Sequence, residues 1–510
     1  MKIPTKSLLL AVLMALAPAA YAQAQLPATL TDGVQETNPA LITGSTFNVD
    51  ADNPAPLSFT GDTSGATVSQ INVLDGGFLS ANNNNFDFTE INIRSGGDTT
   101  NSINIQNAEL NVLPGGALGS GLTVGANSTL NVGSGVTDIG NNFTVAGTAN
   151  INSGRHSIGF ESLPGSTVNI GGTADIDGNT NVFAGVVNIS GDAQIGLNTD
   201  FTTTSNVTVS GGTFGSNADF FGTANFTGGE FGSNFILHES ATAAVFDDTD
   251  GGVTIASGGQ IRRQATINGG DFTASLDFDP GSAGSIVNGG TFGNNVDISD
   301  NVTINGGTFG TNLDVGLLSD TSPNNLNPTV DINGGTFGEV DADSGTVNIF
   351  GGTFLGGSTG VALAANTRSD MDTQGTLNIH GGDIQGFIEG FGDINLFGTA
   401  FAIDGTPIDG LSSFTVIDGE SVLTGTLEDG NTISLNLNRG FNFIDAEGLE
   451  TVFTDSNEGD SFFGLFGENG NTGGVLTAGG TTIVIGVPEP SSLSLLALGA
   501  LGMISRRRRS

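Results

Sequence analysis

The chain has 510 residues, 82 of them glycine and 34 phenylalanine, with no cysteine, no tryptophan, and 12 basic against 52 acidic side chains for a net charge of −40. This composition excludes disulfide staples and thiol chemistry, and it disfavours nucleic-acid binding, which needs clustered Lys and Arg. A hydrophobic share of 37% is too high for a disordered polar tract, so a packed body is expected despite the glycine.

In chain order, Lys2 and Lys6 precede the apolar run Leu8 to Ala17 and the small-x-small triplet Ala20-Tyr21-Ala22. This is the pattern of a secretory signal peptide, residues 1–22, cut before Gln23. Residues 23–65 carry Pro27, Pro39, Pro54 and Pro56 and read as an N-terminal cap or lead-in, since a bare sheet end templates aggregation.

From 66 to 401 one phrase repeats. Short alternating runs such as Ile71-Asn72-Val73, Ile91-Asn92-Ile93 and Leu110-Asn111-Val112 lead to glycine corners, and the phrase sharpens to Gly289-Gly290-Thr291-Phe292 and Gly306-Gly307-Thr308-Phe309. Pairs beginning at 269, 289, 306, 334 and 351 lie 20, 17, 28 and 17 residues apart. Intervals of 17 to 20 match one coil of a single-stranded parallel β-helix, a β-solenoid, and longer ones a coil with a surface loop. Propeller blades of about 40 to 50 residues do not fit.

Alternation directs Val302 and Ile304 inward and Thr303 outward. Asn305-Gly306-Gly307 supplies the corner, where positive φ is cheapest for Gly or Asn, and Phe309 points back inward. The expectation is an all-β rod of about 16 coils, roughly 75–80 Å long at the strand spacing, with ladders of Phe, Ile and Val inside and Asn at the corners. Residues 402–486 lose the phrase but keep alternating runs at Ser413 to Ile417, Ser421 to Leu427, Thr432 to Leu437 and Thr481 to Ile485. They read as irregular last coils, a C-terminal cap and a Gly-rich linker.

The tail, 487–510, has three parts: Pro488-Glu489-Pro490, an apolar run over 491–505, and Arg506, Arg507, Arg508 and Arg509. The prolines keep its start extended, and the arginines hold its end in the cytoplasm. As a helix the run spans roughly 22 Å, short of the roughly 30 Å hydrocarbon core, which makes a marginal anchor. The tail resembles the PEP-CTERM sorting signal of Gram-negative bacteria that make extracellular polysaccharide. The resemblance implies transient anchoring in the inner membrane, a cut near the motif by an exosortase-type membrane protease, and a secreted or cell-surface destination. Without Lys2, Lys6, the four terminal arginines and Glu489, the chain keeps 6 basic and 51 acidic residues, a net charge near −45 for which divalent cations or basic partners are the natural counter-charges.

Chemistry is sparse. Counted from the glycine corners, Asp277, Asp297 and Asp314 fall at one place on three consecutive coils, with Asp219 at the matching place further up. Stacked at about 4.8 Å, such carboxylates either face water or share a cation, and Ca²⁺ suits an oxygen ladder. No other cofactor is expected. The phrase departs from Ca²⁺-binding nonapeptides, because Phe309 interrupts it, Asn312 stands where Asp belongs, and the period is about twice too long. His156, His238 and His380 lack ligand spacing, and Arg262 and Arg263 form an isolated basic pair. The absence of Trp, and of Tyr beyond Tyr21, disfavours stacking on sugars, though polar ladders can still bind glycans by hydrogen bonds. The reading is a non-catalytic, exported, acidic rod that adheres or scaffolds within an extracellular polysaccharide layer, with surface proteins as further partners. A β-helical polysaccharide lyase or glycoside hydrolase, using the 277/297/314 region, is the alternative.

Overall fold

The computed structural model describes residues 46–49 and 69–486, with gaps at 80–83, 88, 100–101, 243, 248–251, 273–274, 317–326, 357–360, 366–374, 391–392, 408–421, 439–440, 446–449, 453–463 and 468–480. The signal-peptide reading, most of the 23–65 lead-in, the 413–417 run and the sorting residues 487–510 lie outside them. The described residues contain strands and no helix, wound into a parallel β-solenoid of about 15 turns, against about 16 expected.

Register makes the repeat explicit. Asn72 pairs with Asn92, Asn92 with Asn111, and the same position runs through Asn131, Asn150 and Asn169 to Asn188. Each of these asparagines donates its amide to the one before, at distances falling from 3.2 Å at Asn92–Asn72 to 2.7 Å at Asn188–Asn169. The column resumes as Asp331, Asn348, Asn378 and Asn395 with bonds of 2.7 Å. A strand amide has two donors and an acceptor, so a stacked asparagine satisfies its neighbours as the backbone ladder satisfies its own.

Inside, Phe272, Phe292, Phe309, Phe337 and Phe354 stack face to face with centroids 4.4–5.1 Å apart. Phe160, Phe183, Phe201 and Phe220 form a second column. All nine are buried, and each contributes apolar burial plus ring contact to its coil.

The corner glycines have separate reasons. Only the second of each pair holds positive φ: 112° at Gly290, 110° at Gly307, 117° at Gly335 and 111° at Gly352. The first is needed for space, since a Cβ on Gly289, Gly306, Gly334 or Gly351 would stand 2.7–2.9 Å from the asparagine carbonyl oxygen one coil earlier. Asn305 takes no positive φ, contrary to the expectation that Asn shares this duty here. Its side chain instead donates to Asn288 at 2.8 Å and accepts from Asn333 at 2.9 Å. Asn198, Asn217, Asn234 and Asn295, at a different corner, do adopt φ of 53–62°.

The winding changes near the C-terminal end. The strand Asp393–Ile403 begins in the Asn column, and its second half pairs antiparallel with Val422–Leu427, which forms a hairpin with Thr432–Asn438. Antiparallel strands thus stand within the stretch read as irregular last coils and a C-terminal cap. Strand Thr481–Gly486 returns to the parallel ladder between Asp393–Ile403 and Phe441–Asp445.

Candidate functional site

The aspartate column forms as the corner count requires. Asp297 pairs with Asp314, and Asp277 lies one rung below Asp297 through the neighbouring pair Phe278–Ile298. Asp341 pairs with Asp314 and lengthens the column to four. It escapes the corner count because Asp277, Asp297 and Asp314 each follow the first glycine by eight residues and Asp341 follows Gly334 by seven. Asp219 stands on the same ladder with Asp200, but Ile236 and Gln260 separate that pair from Asp277.

These carboxyls are half-buried on a strand face flanked by inward Leu276, Phe278, Val296, Ile298, Leu313 and Val315. Burial is the main cause of their shifts. It pushes Asp277 up to about 6, with Asp297 and Asp279 adding repulsion. It pushes Asp314 up to about 7, reinforced by Asp343, Asp297 and Glu339. Asp297 is also raised by burial, with its side-chain hydrogen bond to Asp314 opposing the rise and Asp279 adding to it. Asn312 donates to the other side of Asp314 at 2.9 Å. Asp277, Asp297 and Asp314 therefore hold their protons to higher pH than a free aspartate does.

Arg262 sits at the foot of the column. Its Nε lies 3.1 Å from Asp279 and it donates to Gln260 at 2.6 Å, while Arg263 is exposed. The histidines are not brought together. His156 is buried between Phe143 and Phe160. His238 stacks on Phe221 with Nε2 3.6 Å from Asp219. His380 lies between Phe350 and Phe397, its Nδ1 2.7 Å from Glu428. Among the described residues, no group of three or more His, Asp or Glu side chains, the aspartate column included, has metal-holding geometry.

The sequence reading missed the contact that Glu428 and Asp429 make with the rod. Asp429 accepts the Gly382 N–H at 2.6 Å, and Glu428 meets His380. The signal was present as an Asp429-Gly430 turn in an alternating stretch, but its docking partner lies 47 residues away.

Fold and site together define an acidic β-solenoid with polar ladders on its outer faces. Residues 486–509 match the PEP-CTERM protein-sorting motif. The motif implies processing by an exosortase-type membrane enzyme and export to the surface or exterior of a Gram-negative cell. No curated protein and no solved structure matches the chain.

Proposed function

We propose that the mature chain is a non-catalytic rod that adheres to, or scaffolds, an extracellular polysaccharide layer. The observation that carries this reading is the repetition of the same partly exposed residue from coil to coil: an Asn column over five rungs from Asn111 to Asn188 offers one chemistry along a length, which suits an extended partner. Export by the sorting motif supports it. The test compares cells making the native protein with cells making Pro488→Ala and with cells lacking the gene product. Native protein is expected in the matrix fraction and the variant in the envelope, and matrix without the protein should disperse at lower shear. Indistinguishable matrices would refute the role.

A β-helical polysaccharide lyase or glycoside hydrolase is the second reading, favoured by one observation. Burial raises the neighbouring carboxyls Asp277, Asp297 and Asp314 together, and clustered raised carboxyls are a mark of acid–base sites. Release of reducing ends or unsaturated products from acidic polysaccharides, abolished by Asp297→Ala, would replace the scaffold reading with this one. Ca²⁺ in the column belongs to the scaffold reading and predicts a higher melting temperature at millimolar Ca²⁺.

A further inference from the structure

The hairpin Val422–Leu427/Thr432–Asn438 is fastened to the rod at both ends and leaves a space beneath it. At one end Gly398 pairs with Leu427 and Ile403 with Leu423. At the turn, Glu428 donates its N–H to the Phe397 carbonyl at 3.1 Å and Asp429 is held by Gly382 N–H. Between the hairpin and the rod strand Asp383–Ile384 lies a cleft of about 540 Å³, within the roughly 300–1,000 Å³ of small-ligand sites.

Its walls are polar and ordered. The cross-strand pairs Thr424–Ser434 and Thr426–Thr432 set four hydroxyls on one hairpin face. Opposite them, Gln385 donates to Asp383 at 2.7 Å, which fixes a carboxylate and an amide side by side. Ile384 lines the cleft beside these groups, while Leu435 lies on the opposite face of its strand from Ser434 and is buried.

We propose that this cleft binds a neutral saccharide segment of a few rings, a proposal that rests on the polysaccharide-layer reading above. Sugar hydroxyls both donate and accept. A carboxylate accepts two of them, an amide does both, and threonine and serine complete the set, while a C–H face rests on Ile384. Other ligand classes fit less well. Asp383 inside, Glu428 and Asp429 at the turn and the −40 chain repel phosphates, sulfates and uronates. A peptide added as a strand would need a free edge, but Val422–Leu427 pairs on both sides, and Thr432–Asn438 pairs with both Val422–Leu427 and Gly464–Gly467. A fastened roof also lowers the ordering cost of binding.

The test is affinity electrophoresis of the full chain in gels carrying neutral glucan, galactan or mannan, or the acidic polymers alginate and polygalacturonate. At least one neutral polymer should retard the native protein, unaffected by chelator. Asp383→Ala should weaken retardation at least tenfold, and Thr426→Tyr, which fills the cleft, should remove it. Asp98→Ala, in a separate cleft, should change nothing. If Asp383→Ala melts early, Gln385→Ala reads the same site from an exposed position. Retardation by acidic polymers alone, by no polymer, or equally in all variants would overturn the proposal. If the variants bind normally and the protein still sits in the matrix, the cleft assignment fails and the scaffold reading survives. If the cleft binds sugar but the protein is absent from the matrix, the reverse holds.

Discussion

Replacing Asp314 with asparagine should stabilise the rod at pH 8 and leave it nearly unchanged at pH 4.5. The folded chain raises this carboxyl from 3.8 to about 7, so the native state holds a proton that the unfolded chain has released. Stability tied to that proton is full below about pH 4, is lost as pH rises towards 7, and stays lost above. At about 1.4 kcal/mol for each factor of ten, the displacement bounds the cost at roughly 4 kcal/mol. The side chain keeps some solvent contact, and screening reduces this to about 2 kcal/mol. Asparagine carries no charge to bury and can still accept the Asn312 amide. Urea unfolding of both proteins at the two pH values measures the difference, and amide exchange over 296–316 locates it. A stability difference that is the same at both pH values, or a variant weaker at pH 8, would refute the electrostatic account.

Other positions give independent tests. Burial lowers His156 to about 4, with Asp138 and the Gly140 backbone opposing. Its coil is therefore at full stability above about pH 6.5 and loses roughly 3 kcal/mol as pH falls to 4; His156→Phe should flatten that trend in proteolysis rates between pH 7 and 4.5. Phe309→Ala opens a gap between Phe292 and Phe337 and should cost about 3–5 kcal/mol in chemical denaturation, with Phe309→Leu costing clearly less. Gly306→Ala should lower the melting temperature even though Gly306 has no positive φ, because its Cβ meets the Asn288 carbonyl oxygen at 2.7 Å; the cost should be about 1–3 kcal/mol.

The solenoid was legible because its signal is local and repeated. Each coil carries its own alternating strand, glycine corner and phenylalanine, so one period of 17 to 20 residues shows all three. Three members of the aspartate column were legible for the same reason, and Asp341 was lost to a corner shorter by one residue. What the sequence could not display were contacts without a period. His380 lies in a stretch that reads as another corner, yet its ring sits between Phe350 and Phe397 and meets Glu428, 48 residues on. Likewise, Ser421 to Leu427 alternates as any strand does, and alternation does not reveal whether its partner runs parallel or antiparallel.

Strand Thr481–Gly486 is stitched on both sides into the last parallel rungs, and the sorting motif starts on its final residue, Gly486. Only three residues separate Gly486 from Pro490, a reach of at most roughly 14 Å over four Cα–Cα steps. The enzyme that reads the motif must therefore work within a few residues of the folded rungs.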